Sequence, residues 1–468
     1  MERTSCVVLF RRDLRLNDHA ALAAALERGY DVVPVYVHTE AGPWGMGSAQ
    51  KWWLHHALLD LEQQIESLGG SLSILEVNER GLHEALIELM EQVQSSHVFW
   101  GRRYSPHEIA ADSELKEVLK IQGYQVESFN TTLLNEPMGI WNLSGSAYQV
   151  FTPYYKSVLT REKPRVLDYA VEELRWSSDA GLGSVDSLNL LPNLDWADGF
   201  AHHWDPSRQG ALKLLQAFKP MQYLDQRDKM ALPGTSRMSP YLALGQLSPS
   251  EVWTHVGNSG EEYRRQLVWR EFSYYTLFHF PHSAQKALKP QWQVFPWQYD
   301  ESVMGAWQSG RTGIPIVDAG MRELWVTGWM HNRVRMVVAS VLVKYLQQDW
   351  MAGAQWFWDA LLDADLANNS MGWQWSAGCG ADAAPYFRVM NPVLQSQKFD
   401  SKGEYIRRWL PELSEVPEKH VHAPWEMPEL LALQYLSADS IYLNPIVTPK
   451  QGRSAALNAL EQFKAMRS

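Results

Sequence analysis

The hydrophobic period changes once along this chain, and that change limits the folds open to it. Stretches that read as strands come first: Cys6 to Phe10, Asp31 to Val37, Leu72 to Val77, His97 to Trp100 and Tyr124 to Phe129. The first is apolar throughout, as befits a strand of a parallel sheet covered on both faces. Helical stretches lie between them. One is capped by Asn17 or Asp18, runs through Leu26 and is ended by Gly29. Ala49 to Leu68 follows, stopped by Gly69 and Gly70, then Leu82 to Val93 and Glu108 to Leu119. Alternating strands and helices imply βαβ units, and so a doubly wound parallel α/β domain over residues 1–133. From Leu134 to Asp205 the pattern is broken by Pro, Gly, Ser, Asn and Asp. Trp141, Tyr148, Tyr154 and Tyr155 mark this stretch, 134–205, as a long linker packed across the surface. Beyond Gly210 the period is helical, which predicts an all-α domain over 206–468.

Composition narrows the function. The 468 residues suffice for a large core in two or three domains. A net charge of −11, from 42 Lys+Arg against 53 Asp+Glu, argues against bulk coating of nucleic acid but leaves room for a local basic patch. Two cysteines, Cys6 and Cys379, exclude a disulfide scaffold and a four-cysteine iron–sulfur cluster, and no metal site is expected. With no signal peptide and no apolar run of about 20 residues, a soluble cytoplasmic protein without a membrane partner is expected. No G-x-G-x-x-G opens any helix of the first domain, so the dinucleotide fingerprint is absent. Of 22 tryptophans, fourteen lie from Trp253 onward. Tryptophan packs cores and interfaces, and indole is also the most easily oxidised common side chain.

The densest chemistry lies between Gly328 and Pro392. In GWMHNRVRM, Asn332 and Met336 are four apart and Arg335 is three from Asn332, so a helix puts them on one face. Val337 to Tyr345 is apolar almost all round, which predicts a buried helix. An arginine there needs a carboxylate, and Asp363 and Asp365 are the candidates. Asn368, Asn369, Trp373 and Trp375 stand where an ordinary core would carry Leu and Val. This stretch resembles the FAD domain of the DNA photolyase and cryptochrome family through GWMHNRVRM, the ANN-to-WQW segment and the APYFR-to-NP segment. LFRRDLRLNDHAAL (Leu9 to Leu22), YRRQLVWREF (Tyr263 to Phe272) and IRRWLPEL after Tyr405 extend the resemblance over nearly the whole chain. It is most similar to microbial photolyases of cyclobutane pyrimidine dimers.

The resemblance implies a helical domain that binds FAD. Tyr223 and the run Thr235, Ser236, Arg237, Met238 and Ser239 match the part holding its phosphates, where an isolated run of this kind reads as a helix cap. Arg270 matches a flavin-contacting arginine, and Tyr263 stands where Trp is common. Arg335 and Asp363 match a charge pair beside the isoalloxazine, Asp365 a contact to the ring, and Asn332 a further contact. Asn369 matches the residue facing flavin N5; an amide there goes with a stable reduced flavin, whereas plant cryptochromes carry Asp. Trp373, Trp350 and Trp297 match a tryptophan triad that passes electrons to the flavin. Trp269 matches the aromatic that stacks on a flipped-out lesion, Trp375 lines the pocket, and Arg333, Arg388 and Lys398 match DNA-backbone contacts. Gln266 departs from the pattern, since dimer photolyases carry Glu there and (6-4) photolyases carry Gln. Asn332 and Met336 follow dimer repair, because (6-4) relatives carry two histidines at those positions. An antenna pigment, whether methenyltetrahydrofolate, a deazaflavin or a second flavin, is implied between the domains. Glu108 stands at its site, although a first-turn Glu also favours the helix dipole. The expected activity is that of a deoxyribodipyrimidine photo-lyase: a monomer that splits cyclobutane dimers in UV-damaged DNA with an electron from excited reduced FAD. The alternatives are a cryptochrome-type photoreceptor and a (6-4) photolyase. A long tail of the kind signalling cryptochromes carry is not expected after Ser468.

Overall fold

The computed structural model describes residues 4–39, 42–77, 81–177, 181–192 and 195–467. Its first half is built on β1 (Ser5–Phe10), the middle strand of a parallel sheet. β2 (Asp31–His38) lies on one side of β1, followed by β3 (Ser73–Glu76). β4 (Ser95–Gly101) lies on the other, followed by β5 (Gln125–Phe129). The resulting order β3-β2-β1-β4-β5 reverses direction between β1 and β4, where open α/β sheets leave a crevice at the carboxyl ends of the strands. Cys6 pairs with Val32 on one side and His97 on the other. Side chains alternate across the sheet. Val7, Leu9, Val33 and Val98 meet α3 (Leu82–Gln92) and α4 (Pro106–Ile121). Cys6, Val8, Phe10 and Val32 meet α1 (Ala20–Glu27) and α2 (Ser48–Ser67).

Two details differ from the sequence reading. The cap of α1 is His19, whose Nδ1 accepts from the Leu22 amide at 3.4 Å, and neither Asn17 nor Asp18. Asp18 is drawn away by tertiary partners: it accepts from the Leu167 amide at 2.8 Å and from the Ser248 hydroxyl. The segment after Leu134 also supplies a sixth strand. β6 (Arg175–Trp176) pairs with Asp31 and Val32 of β2, at the end that β3 does not reach.

α5 (Phe151–Leu159) and α6 (Phe200–His203) belong to the irregular stretch. Helices then follow one another: α7 (Arg208–Ala217), α8 (Tyr223–Gln226), α9 (Ser239–Ala243), α10 (Pro249–Val256), α11 (Glu261–His279), α12 (Glu301–Gln308), α13 (Pro315–Thr327) and α14 (Asn332–Ser340). α14 runs into a π turn, Val341–Tyr345. α15 (Trp350–Ala360), α16 (Leu366–Ala377), α17 (Pro392–Phe399), α18 (Glu404–Trp409), α19 (Glu429–Ala432) and α20 (Pro449–Ala465) complete the fold. Val334, Val337, Leu342, Phe357, Trp373 and Phe463 share one core, so the apolar run after Arg335 is buried as its pattern requires.

The two halves are bonded along a seam. The Leu14 amide donates to Leu244 O at 3.1 Å, Trp53 Nε1 to Gln246 Oε1 at 2.7 Å, and Trp358 Nε1 to Gly45 O at 2.6 Å. At Gly47 a Cβ would lie 2.2 Å from Trp358 O; at Gly245, with φ +74°, it would lie 2.2 Å from Arg12 O.

Candidate functional site

The start of α14 sets the geometry. His331 caps it, Nδ1 accepting from the Arg333 amide at 3.2 Å. Burial lowers the His331 pKa to about 4, so the ring stays neutral and keeps its acceptor at physiological pH. Asn332 is thereby held exposed, with Nδ2 3.9 Å from Met336 Sδ one turn on. Arg335 faces inward. It forks onto Asp363 at 3.1 and 2.8 Å and donates Nε to Met330 O at 2.8 Å. Of the two candidate carboxylates the structure selects Asp363. Asp365 instead caps α16, accepting from the Asn368 amide at 2.8 Å, and also accepts the Tyr274 hydroxyl.

α16 carries Asn369, whose Nδ2 donates to Ala354 O of α15 at 2.9 Å. One turn on, Trp373 packs onto Gly353, edge-on to Phe357 at 5.0 Å and Trp307 at 6.0 Å. Trp350 begins α15, three residues before Gly353. Trp297 is half-buried against Phe295 at 4.3 Å. Its loop is tied to the start of α15: Gln298 N donates to Gln347 O at 2.9 Å, and Asp349 N to Gln298 O at 3.1 Å. The three tryptophans thus lie on adjoining segments leading away from Asn369.

The run Thr235 to Ser239 precedes α9. Thr235 is half-buried, and Ser236 Oγ accepts from the Met238 amide at 3.3 Å and lies 2.8 Å from the Tyr263 hydroxyl. Tyr223 meets Tyr263 edge-on at 5.0 Å. Ser239 Oγ accepts from Trp329 Nε1 at 3.2 Å. Arg237 has a left-handed backbone, φ +54°, and its guanidinium lies 4.1 Å from the Trp204 ring and 5.2 Å from that of Trp329. Its buried Nε has no partner among the described residues. Arg270 joins α11 to its surroundings, donating to Thr132 O at 3.0 Å and Leu242 O at 3.4 Å.

On α11, the Gln266 carbonyl accepts from Arg227 Nη2 at 3.3 Å, and its amide donates to Glu262 O at 3.3 Å. Trp269 stacks on Phe151 at 3.6 Å and 8°, so one indole face is already covered. Trp375 is half-buried. Arg388 and Lys398 are exposed, and among the described residues neither meets a carboxylate. Arg333 is different: Asp228 holds it at 2.8 Å and its guanidinium lies over Phe399 at 4.5 Å.

A crevice of about 340 Å³ opens at the sheet's switch point, lined by Arg12, Trp44, Arg103, Glu108, Tyr274 and Asp365 among others. Glu108 completes a capping box with Ser105 and lies 3.5 Å from Arg12 and 3.7 Å from Arg103. Burial alone would raise its pKa, but Arg103 and Arg12 outweigh that and hold the carboxylate below its usual value.

Sequence reasoning missed Arg227 and Asp228, whose QRDK context reads as an ordinary charged turn. It also missed Glu271. That carboxylate accepts from the Asn135 amide at 2.8 Å and leaves Oε1 without a bond, and burial pushes its pKa up to about 7.

Residues 6–171 match the family described as DNA photolyase, and residues 263–462 match the FAD binding domain of DNA photolyase. This chain belongs to the DNA photolyase and cryptochrome family. It is 41% identical to the deoxyribodipyrimidine photo-lyase of Agrobacterium fabrum, over 98% of both chains. It is 35% identical to cryptochrome-1 of Arabidopsis thaliana, over 98% of this chain and 70% of the plant protein. A bacterial class III photolyase from Agrobacterium tumefaciens has the same fold, with a TM-score of 0.94 and 40% identity, covering 99% of this chain and 98% of that one. The helical half is the family's FAD-binding domain, and the parallel-sheet half is its partner. No helix among the described residues is long and apolar enough to cross a membrane.

Proposed function

We propose that this chain is a deoxyribodipyrimidine photo-lyase that splits cyclobutane pyrimidine dimers in UV-damaged DNA under light, acting as a monomer. The observation that carries the reading is the tip of α14, where an exposed amide and a thioether, Asn332 and Met336, stand beside the Arg335–Asp363 pair. Neither titrates near neutral pH, so the pocket serves a reaction that needs no protein acid. Dimer splitting by electron transfer is such a reaction.

The residues present fit FAD. Arg237 keeps a buried Nε unbonded, and the neighbouring residue Ser236 pairs its hydroxyl with that of Tyr263, donors of the kind a phosphate site requires. In this reading Tyr223, Thr235, Ser236, Arg237, Met238, Ser239, Tyr263 and Arg270 hold the cofactor, with Asn332, Arg335, Asp363, Asp365 and Asn369 around its ring. When bound and reduced, FAD would supply the light-driven electron-transfer chemistry that dimer splitting needs. The chain does the rest. Gln266, its carbonyl already held by Arg227, offers a neutral amide to the pyrimidine carbonyls. The open face of Trp269 takes a base by stacking, worth about 1–3 kcal/mol. Arg333, Arg388 and Lys398 meet the phosphates, and Trp375 lines the pocket into which the dimer is flipped. Trp297, Trp350 and Trp373 relay electrons inward. An antenna, a folate, deazaflavin or second flavin, occupies the crevice beside Glu108.

The deciding experiment illuminates pre-reduced protein with two duplexes, one carrying a cyclobutane thymine dimer and one a (6-4) product, beside dark controls. Loss of the dimer alone is expected. Loss of the (6-4) product alone would mean that Gln266 outweighs Asn332 and Met336, and loss of neither would move the assignment to a photoreceptor. Trp350→Phe is expected to block photoreduction of oxidised FAD while leaving repair by pre-reduced protein intact. Flavin absorbance under blue light reads the first and dimer loss the second.

A further inference from the structure

Lys344 is the buried lysine of the described residues, its side chain only 2% exposed. It sits in the π turn between α14 and α15, among Val341, Leu342, Val343 and Tyr345. The pattern around it asks for Leu or Met. No carboxylate lies within ion-pair distance of it among the described residues, and burial lowers its pKa to about 8, which leaves it cationic at neutral pH. An unpaired buried ammonium costs several kcal/mol unless it is solvated by something else. What solvates it is one segment. Nζ donates to the Arg388 carbonyl at 3.2 Å and lies 5.5 Å from the centre of the Tyr386 ring. A π turn re-aims the side chains of an otherwise regular helix and recurs at functional sites.

The segment so gripped leaves α16 at Gly378 and turns tightly at Pro385, whose carbonyl accepts from the Arg388 amide at 2.9 Å. Its outer side carries Phe387, 61% exposed, and the unpaired Arg388 guanidinium. The inner side has Tyr386, buried against Trp292 and Phe295 at 5.4 and 4.9 Å. Tyr386 thus anchors the turn by its ring, and Lys344 anchors it by its backbone.

We propose that Lys344 is a positioning residue for DNA binding: its ammonium clasps the backbone of the Tyr386–Arg388 turn and so sets the Arg388 guanidinium against the phosphates. This rests on Arg388 being a phosphate contact, and the test separates the two claims. Lys344→Met, Arg388→Ala and the double variant are compared as full-length, FAD-loaded protein binding a dimer-containing duplex over a range of salt. Arg388→Ala is expected to lower the slope of log K against log salt by about 0.9, the share of one phosphate, with binding weakened roughly 3- to 10-fold. Lys344→Met should lose the same slope, and the double variant should bind no worse than Arg388→Ala alone. The flavin spectrum reports whether the variant is folded. If the methionine variant does not retain FAD, Lys344→Gln, whose amide stops one bond short of the Arg388 carbonyl, takes its place with the same expectation. A lowered slope in Arg388→Ala with a wild-type slope in the Lys344 variant, or additive losses in the double, would overturn the clasp alone. An unaltered slope in Arg388→Ala would remove the phosphate contact and the clasp with it.

Discussion

Arginine is handled in opposite ways in the crevice and at the rim. Around the crevice the guanidinium groups are matched: Arg11 and Arg103 lie 2.5 and 2.6 Å from Asp112, and Arg102 lies 2.8 Å from Glu136. The Arg335–Asp363 pair under the site follows the same rule. At the rim Arg388 stands open to solvent, as does Lys398. Buried cations need a fixed counter-charge and become part of the wall. Exposed ones are left for a ligand that brings its own. The class of an arginine is therefore set by its surroundings, and RRD, GRRY and YFRV look alike in the sequence.

The contrast can be broken where the charges are locked. Arg335→Ala leaves the Asp363 side chain, 4% exposed, without its partner, so a loss of about 3–5 kcal/mol in unfolding free energy and reduced FAD content are expected. Urea titration and flavin absorbance check both. Glu271 sharpens the same point, because the nearby Arg270, 3.6 Å away, is bonded to backbone carbonyls instead. Its pKa is raised from 4.5 to about 7, so the folded chain takes up a proton more readily than the unfolded one. Stability from this group is full below about pH 4.5 and is lost as pH rises through about 7. Glu271→Gln keeps the acceptor for Asn135 without the charge. It is expected to exceed the parent by about 3 kcal/mol at pH 8, with the gap closing towards pH 5, as followed by thermal unfolding. At the rim, Arg388→Ala should leave unfolding within about 0.5 kcal/mol of the parent while DNA affinity falls. A small effect on stability is also expected for Arg28→Ala. Its pair with Glu127, at 2.6 Å, is 36% and 46% exposed, and such pairs contribute about 0–1 kcal/mol. A larger loss in thermal unfolding would show that exposure does not sort these residues.

The parallel sheet was legible because strands alternate with helical stretches from β1 to β5, and β1 is apolar from Cys6 to Phe10. β6 was not, since two residues carry no period, and only pairing with Asp31 and Val32 makes them a strand. The approach of Asn332 to Met336 followed from spacing alone, and so did the need of Arg335 for a carboxylate. Spacing left Asp363 and Asp365 both open and the family resemblance pointed to Asp363; the structure adds the physical reason, since Asp365 begins a helix. Arg333 reads as a free cation until Asp228, 105 residues away, is folded against it. Glu271 reads as an ordinary helical acid, yet it is buried and accepts from the Asn135 amide of the irregular stretch. Long-range partners of charged side chains are thus what spacing could not reveal.

The seam has a further consequence. At Gly47 and Gly245 the halves touch backbone to backbone, with no room even for a methyl group. Such a contact cannot creep as loops drift in sequence or as side chains change rotamer. It works as a gauge block, holding the crevice at one separation and one angle from Asn369. A methyl group added at either glycine would push on the backbone of Trp358 or Arg12, both at the edge of the crevice, and so alter that spacing. With the proposed antenna in the crevice, energy transfer to the flavin would depend steeply on that distance and orientation, so two residues with no chemistry of their own would set how well one half of the molecule serves the other.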